Sequence, residues 1–255
     1  HYIIVDKRDF KLFSQLQKPN TKIITKESIL PWWIKRLPSW GSKNLWFSLK
    51  TIPIRGWLIQ QFIKVAAAKY TSEDILVFVD SDVGFVRPFN LQDFIQGDQI
   101  RLFRVANRNN TQFSLKWNRS ISRLLGLPPI DYPHVYVGQI VTWRRDNLLK
   151  LYQHLENISG KGWMETLCSS VDFSEYLIYG VFVDYVLKEQ SGHYYDDQGI
   201  CQGYWKNVAM SDQDLENFFV KVPDSCGAVM ISAKSGISIS LERYQRLLKM
   251  ITNKH

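Results

Sequence analysis

The chain has 255 residues, 45% of them hydrophobic and 22% charged, and its 32 Lys and Arg exceed its 24 Asp and Glu by enough to give a formal charge of +8. That is an ordinary globular balance with room for a substantial core. The charge favours anionic partners such as nucleotides or an acidic membrane surface, yet no block of consecutive Lys or Arg forms a nucleic-acid-binding tail, so nucleic acid is not expected. Three widely spaced cysteines without a CxxC argue against a disulfide framework or a zinc site and for a reducing, cytoplasmic setting. No apolar run is long enough to span a bilayer and no signal-peptide pattern is present. The abrupt strand-like start at His1 points to a segment upstream. The 9 Trp, 12 Tyr and 14 Phe suit a large core and equally suit flat platforms for sugars or nucleobases.

In chain order, Tyr2 to Val5 reads as a buried strand ended by Asp6. A short helix through Leu16 and a second strand over Thr21 to Thr25 follow, and this opening predicts a parallel α/β sheet. Pro31 to Pro53, with Trp32, Trp33, Trp40 and Trp46, lacks periodicity and is expected to be irregular and to shape an acceptor site. Gly56 to Tyr70 has helical spacing. Ile75 to Val79 is a continuous apolar run, expected to be a central parallel strand buried on both faces. Further on, the pattern predicts strands over Ile100 to Val105, Val135 to Trp143 and Gly227 to Ile231. Helices are predicted towards Leu125 and over Asp146 to Leu155, Phe173 to Leu187 and Leu241 to Ile251. No repeat or linker divides the chain, so one domain is expected.

The strongest chemical signal is Asp80-Ser81-Asp82, directly after the apolar run. At the C-terminal end of a parallel strand the chain emerges into the crevice where α/β proteins bind ligands. Two carboxylates there can share one hard cation, Mn²⁺ or Mg²⁺, which would neutralise a diphosphate and stabilise it as a leaving group. The bland alternative is a turn in which both aspartates cap backbone amides.

The run Ile75 to Phe89, ILVFVDSDVGFVRPF, resembles the DxD region of GT-A glycosyltransferases. Gly56 to Lys64 resembles the helix before that strand in bacterial transferase-like families, and Phe173 to Gly180 resembles their acceptor-side segment. The resemblance implies a single GT-A-like α/β domain with a mostly parallel, Rossmann-like central sheet flanked by helices. Residues 1–105 would form its nucleotide-sugar-binding half and 106–255 its acceptor-side half. It implies Asp82 as principal metal ligand, Asp80 as ribose or outer-sphere partner, Ser81 beside them at the donor, and Asp6 near the nucleobase; for Asp6 a helix N-cap is the alternative. The implied donor is a nucleotide sugar, UDP-linked by preference, and the implied acceptor a carbohydrate or glycolipid, with peripheral membrane contact.

Arg55, Gln60, Gln61 and Lys64 form a second constellation. On a helix Gln60, Gln61 and Lys64 share one face, either solvated or set to meet a diphosphate and read donor hydroxyls. Arg87 is expected to pair with an acidic neighbour. Glu175, in the first turn of a predicted helix, is the candidate base for an inverting transfer or else a carboxylate favoured by the helix dipole. Enzymes of this type often add a histidine ligand near the C-terminus. His134, His193 and His255 give no convincing equivalent, and Lys234, in the polar loop Ser232 to Gly236, is the candidate phosphate contact instead. The competing functions are a nucleotidyltransferase and a non-enzymatic carbohydrate- or membrane-binding module centred on the tryptophans and Lys35 and Arg36.

Overall fold

A computed structural model of the chain describes residues 1–37, 45–107 and 112–252. It is a mixed α/β protein made of two compact units, each assembled from three stretches of chain. The units do not follow the expected halves at residue 105, because both recruit segments from either side of it.

The first unit comprises His1–Asp74, Arg108–Tyr132 and Arg145–Val186. Strand β1 (Tyr2–Val5) pairs in parallel with β2 (Lys22–Thr25), and the short helix α1 (Phe10–Phe13) lies in the crossover between them. A parallel pair needs such a connection, which bears out the strand–helix–strand opening. The helical turn α2 (Lys26–Ile29) starts where the Thr25 hydroxyl accepts the Ser28 N–H. Strands β3 (Ile34–Arg36), β4 (Leu45–Ser48) and β5 (Ile54–Arg55) form an antiparallel sheet. The expectation of an irregular Pro31–Pro53 region is therefore corrected. Along β4, Trp46 and Ser48 point inward while Phe47 is exposed, a two-residue period that the prolines and clustered tryptophans conceal. Trp40 falls outside the described residues.

Helices α3 (Gly56–Ala66), α4 (Gln112–Leu125), α5 (Arg145–Ser159), α6 (Trp163–Cys168) and α7 (Glu175–Val181) complete this unit. Leu58, Phe62, Val65 and Ala66 of α3 are buried, the spacing expected of a helix with one face in the core. Phe62 stacks on Phe173 at 5.4 Å, and Tyr152 of α5 stacks on Trp163 of α6 at 4.2 Å. After α7 the helix widens into a π-helical turn, Phe182–Leu187.

The second unit comprises Ile75–Asn107, Pro133–Arg144 and Leu187–His255. Its strands are β6 (Ile75–Val79), β7 (Val83–Phe85), β8 (Ile95–Gln96), β9 (Gln99–Phe103), β10 (Val105–Ala106), β11 (His134–Val135), β12 (Ile140–Arg144), β13 (His193–Asp196), β14 (Cys201–Tyr204) and β15 (Ala228–Ile231). They form four small sheets, ordered β12-β6, β14-β15-β7, β13-β9-β8 and β10-β11. The pairs β9–β13 and β14–β15 are parallel and the rest antiparallel. Strand β6 departs from expectation. Its partner is β12, antiparallel, with Val79 opposite Ile140, and Val77 and Val79 are exposed while Phe78 packs on Trp143. An apolar run has the same sequence whether one face or both are covered, so periodicity alone overstated its burial. Helices α8 (Asp212–Val220) and α9 (Leu241–Thr252) close a core of Val86, Leu215, Phe219, Val222, Val229, Leu247 and Ile251.

All three cysteines are free thiols. Among the described residues, no helix is long and apolar enough to cross a membrane.

Candidate functional site

Asp80, Ser81 and Asp82 form the turn between β6 and β7, closed by the Val83 N–H donating to the Asp80 carbonyl at 3.2 Å. The Asp80 N–H donates to the Gln139 carbonyl at 3.1 Å, continuing the β6–β12 ladder by one bond and fixing the base of the turn. Ser81 and Asp82 are exposed and Asp80 is half-buried. Strand β7 then runs antiparallel to β15, with Val83 opposite Met230, while β15 runs parallel to β14, with Met230 opposite Gly203. This register brings the aspartate turn, the C-terminal end of β14 and the C-terminal end of β15 to one end of the sheet. The Lys234 loop begins there. Ser232 N–H donates to the Tyr204 carbonyl at 3.0 Å, the Ser232 hydroxyl accepts the Lys234 N–H at 3.3 Å, and the Lys234 side chain is exposed.

Cys201, at the start of β14, lies within electrostatic reach of this turn. Its thiol is pushed up to about 12, first by burial and then by Cys226, Asp82 and Asp80, so it stays protonated at neutral pH. Among the described residues no group of three or more His, Cys, Asp and Glu is arranged to hold a metal ion. Mg²⁺ in phosphate sites commonly takes only one or two carboxylates and fills its remaining positions with water and phosphate oxygens, so Asp80 and Asp82 are the residues that could hold such an ion.

His193 is a buried structural residue, its Nδ1 2.9 Å from the Ile100 carbonyl oxygen, and His255 lies outside the described residues. Arg87 ties down the segment before β15. It donates to the carbonyls of Pro223 at 2.8 Å and Cys226 at 2.5 Å and pairs with Asp224 at 3.3 Å, as its expected acidic neighbour requires.

The other singled-out residues belong to the first unit. Asp6, at the end of β1, does not cap the turn that follows. Its carboxylate instead gathers Arg36 at 3.1 Å, Lys26 at 3.5 Å and Arg8 at 3.6 Å. Three cations on one carboxylate leave a local positive excess, beside a cleft of about 520 Å³ that Lys7, Arg8 and Lys11 help to line. Arg55 is exposed just before α3. The expected common face of Gln60, Gln61 and Lys64 divides: Gln60 is exposed, whereas Gln61 and Lys64 turn towards α7. There they meet Glu175. Gln61 Oε1 accepts the Glu175 N–H at 3.1 Å, Lys64 Nζ lies 3.1 Å from Glu175 Oε1, and Lys64 donates to the Tyr176 hydroxyl at 2.5 Å. The Glu175 side chain is only 6% exposed. Ser174 precedes the helix without a side-chain capping bond.

Sequence reasoning passed over Gln139, Gly203 and Trp205, which stand at the aspartate end of the second unit. The available signal was a tryptophan one residue beyond a glycine-containing strand, Gln202-Gly203-Tyr204-Trp205. It also passed over Arg101, a buried cation between Ile100 and Leu102 that pairs with Asp196 at 2.6 Å.

The chain belongs to the DUF6492 family, described as a family of unknown function, whose profile matches residues 1–254. No curated protein matches it.

Proposed function

We propose that this protein is a metal-assisted glycosyltransferase of GT-A type that moves a sugar from a nucleoside-diphosphate donor to an acceptor hydroxyl. The observation carrying this reading is the convergence of Asp80, Asp82 and the Lys234 loop at one end of the second unit. A half-buried and an exposed carboxylate on a turn anchored by two backbone hydrogen bonds, at the same end of the sheet as the loop that carries the exposed Lys234, suit a cation–diphosphate complex. A bound Mn²⁺ or Mg²⁺ would supply charge neutralisation of the departing diphosphate. Asp82 and Asp80 would hold the cation, and Lys234 would add a positive charge on the phosphate side. The fold lends this reading only its mixed α/β class, because the sheets are small and mixed where one mostly parallel, Rossmann-like sheet was expected.

This donor site is built from the second unit alone. Glu175 is a packed ion-pair partner in this reading rather than the base, because its carboxylate is engaged by Lys64 and closed to solvent.

The test is calorimetric titration of UDP and GDP in the presence and absence of Mn²⁺. The wild type should bind a nucleoside diphosphate with Mn²⁺ and lose that binding without it, since two carboxylates alone make a weak metal site. Asp82→Asn should abolish the metal-dependent binding with an unchanged circular dichroism spectrum. Equal affinity in the variant overturns the proposal. Release of pyrophosphate rather than nucleoside diphosphate during turnover would replace it with nucleotidyl transfer.

A further inference from the structure

Gly203 sits in β14 with Met230 of β15 beside it, one strand from Val83 and the aspartate turn. A Cβ at this position would stand 2.8 Å from Trp205 Nε1 and 2.9 Å from Gln139 Nε2. The missing side chain is therefore what lets the indole edge and the amide draw together over the strand. Gln139 is the residue whose carbonyl holds the Asp80 N–H, so its side chain issues from the base of the same turn. Among the described residues, neither Trp205 Nε1 nor the Gln139 amide has a hydrogen-bond partner. Trp205 is 60% exposed, an unusual state for the largest apolar side chain.

These features have one shared chemistry. An exposed indole offers a flat apolar face, and the two nitrogen groups offer hydrogen bonds at its edge. A pyranose ring presents the complement: an apolar C–H face flanked by hydroxyls. We infer that Trp205 and Gln139, brought together over Gly203, form a pyranose subsite beside Asp80 and Asp82, with the sugar ring stacked on the indole and a hydroxyl held by the amide. The subsite rests on the glycosyltransferase reading for its place in a reaction, but sugar binding by it is measurable without nucleotide. The ring it takes is the donor's sugar or the acceptor's.

Saturation-transfer NMR on the full chain with methyl glycosides of glucose, galactose, mannose and N-acetylglucosamine tests it directly. The wild type should show transfer to at least one ring, Trp205→Ala should lose it, and Trp205→Phe should keep most of it. Asp82→Asn should leave it unchanged. No transfer to any glycoside in the wild type, or equal transfer in Trp205→Ala, overturns the inference. A second arm compares UDP with UDP-sugars in the presence of Mn²⁺. If the ring belongs to the donor, Trp205→Ala should weaken the UDP-sugar about tenfold and leave UDP within about twofold. If it belongs to the acceptor, both affinities should hold and transfer to acceptor alone should fall. Loss of the glycosyltransferase reading would appear instead as nucleotide binding indifferent to Asp82→Asn, with the glycoside signal intact.

Discussion

The Glu175 carboxylate lies in a place closed to solvent, with Lys64 Nζ 3.1 Å away. A carboxylate so placed without a partner would be costly to bury, and the same holds for the ammonium left behind if the carboxylate is removed. Glu175→Gln is therefore expected to destabilise the protein by about 3–5 kcal/mol, read as a clear fall in melting temperature. Were Glu175 a general base, the same variant would keep its melting temperature and lose about 10²–10⁴-fold in transfer. Calorimetry and a transfer assay on the one variant separate these outcomes. Arg101 and Asp196 make a second such pair, with the Arg101 side chain 2% exposed. Burial alone would raise the Asp196 carboxyl. The Arg101 guanidinium and the Gln198 N–H outweigh it and hold the carboxyl below its usual value. A carboxyl depressed in the folded state contributes stability above its unfolded value, near pH 3.9, and that contribution is lost as pH falls through the folded value. Asp196→Asn should thus cost about 2–4 kcal/mol at pH 7 in urea unfolding, and the deficit should shrink below pH 4.

At the level of elements, the two adjacent tryptophans before β3 separate packing from exposure. Trp33 is 7% exposed and Trp32 71%. Trp33→Ala should cost about 3–5 kcal/mol in urea unfolding by leaving a cavity, whereas Trp32→Ala should stay within about 0.5 kcal/mol. Reversed losses would mean that the Trp-rich stretch is not part of the core. The long helices α3, α5 and α9 were legible from their helical spacing, and β1 from an apolar run that no proline interrupts. The short strands β3 to β5 were not, because two to four residues carry too little pattern to compete with neighbouring prolines. Strand β6 was found but misjudged, since apolar composition does not specify which neighbour covers it. Of the candidate residues, the sequence named Asp80, Asp82 and Lys234, and it named Gln61, Lys64 and Glu175 without showing that the last three meet. Gln139 and Trp205 acquire meaning only through the close approach that Gly203 permits. That approach joins Gln139 to residues more than sixty positions away and leaves no local trace.

On the scale of the whole chain, both units are discontinuous. Residues 1–105 lack α4 to α7, which supply most of the helical core of the first unit, and 106–255 lack β6, β7 and β9. Separate fragments 1–105 and 106–255 are therefore expected not to fold, which far-ultraviolet circular dichroism and amide dispersion in NMR would show. A cooperatively folded fragment of either kind would count against this division. The end of the chain takes part as well. Tyr244 of α9 donates its hydroxyl proton to the Phe85 carbonyl at 2.9 Å, and its ring fills the place that a side chain at Gly84 would occupy. Gly84 follows Asp82 by two residues, so the closing helix braces the strand that leaves the aspartate turn. In a genetic screen, a nonsense codon at Leu241 would then score like a lesion in the aspartates themselves, although every proposed site residue would still be translated.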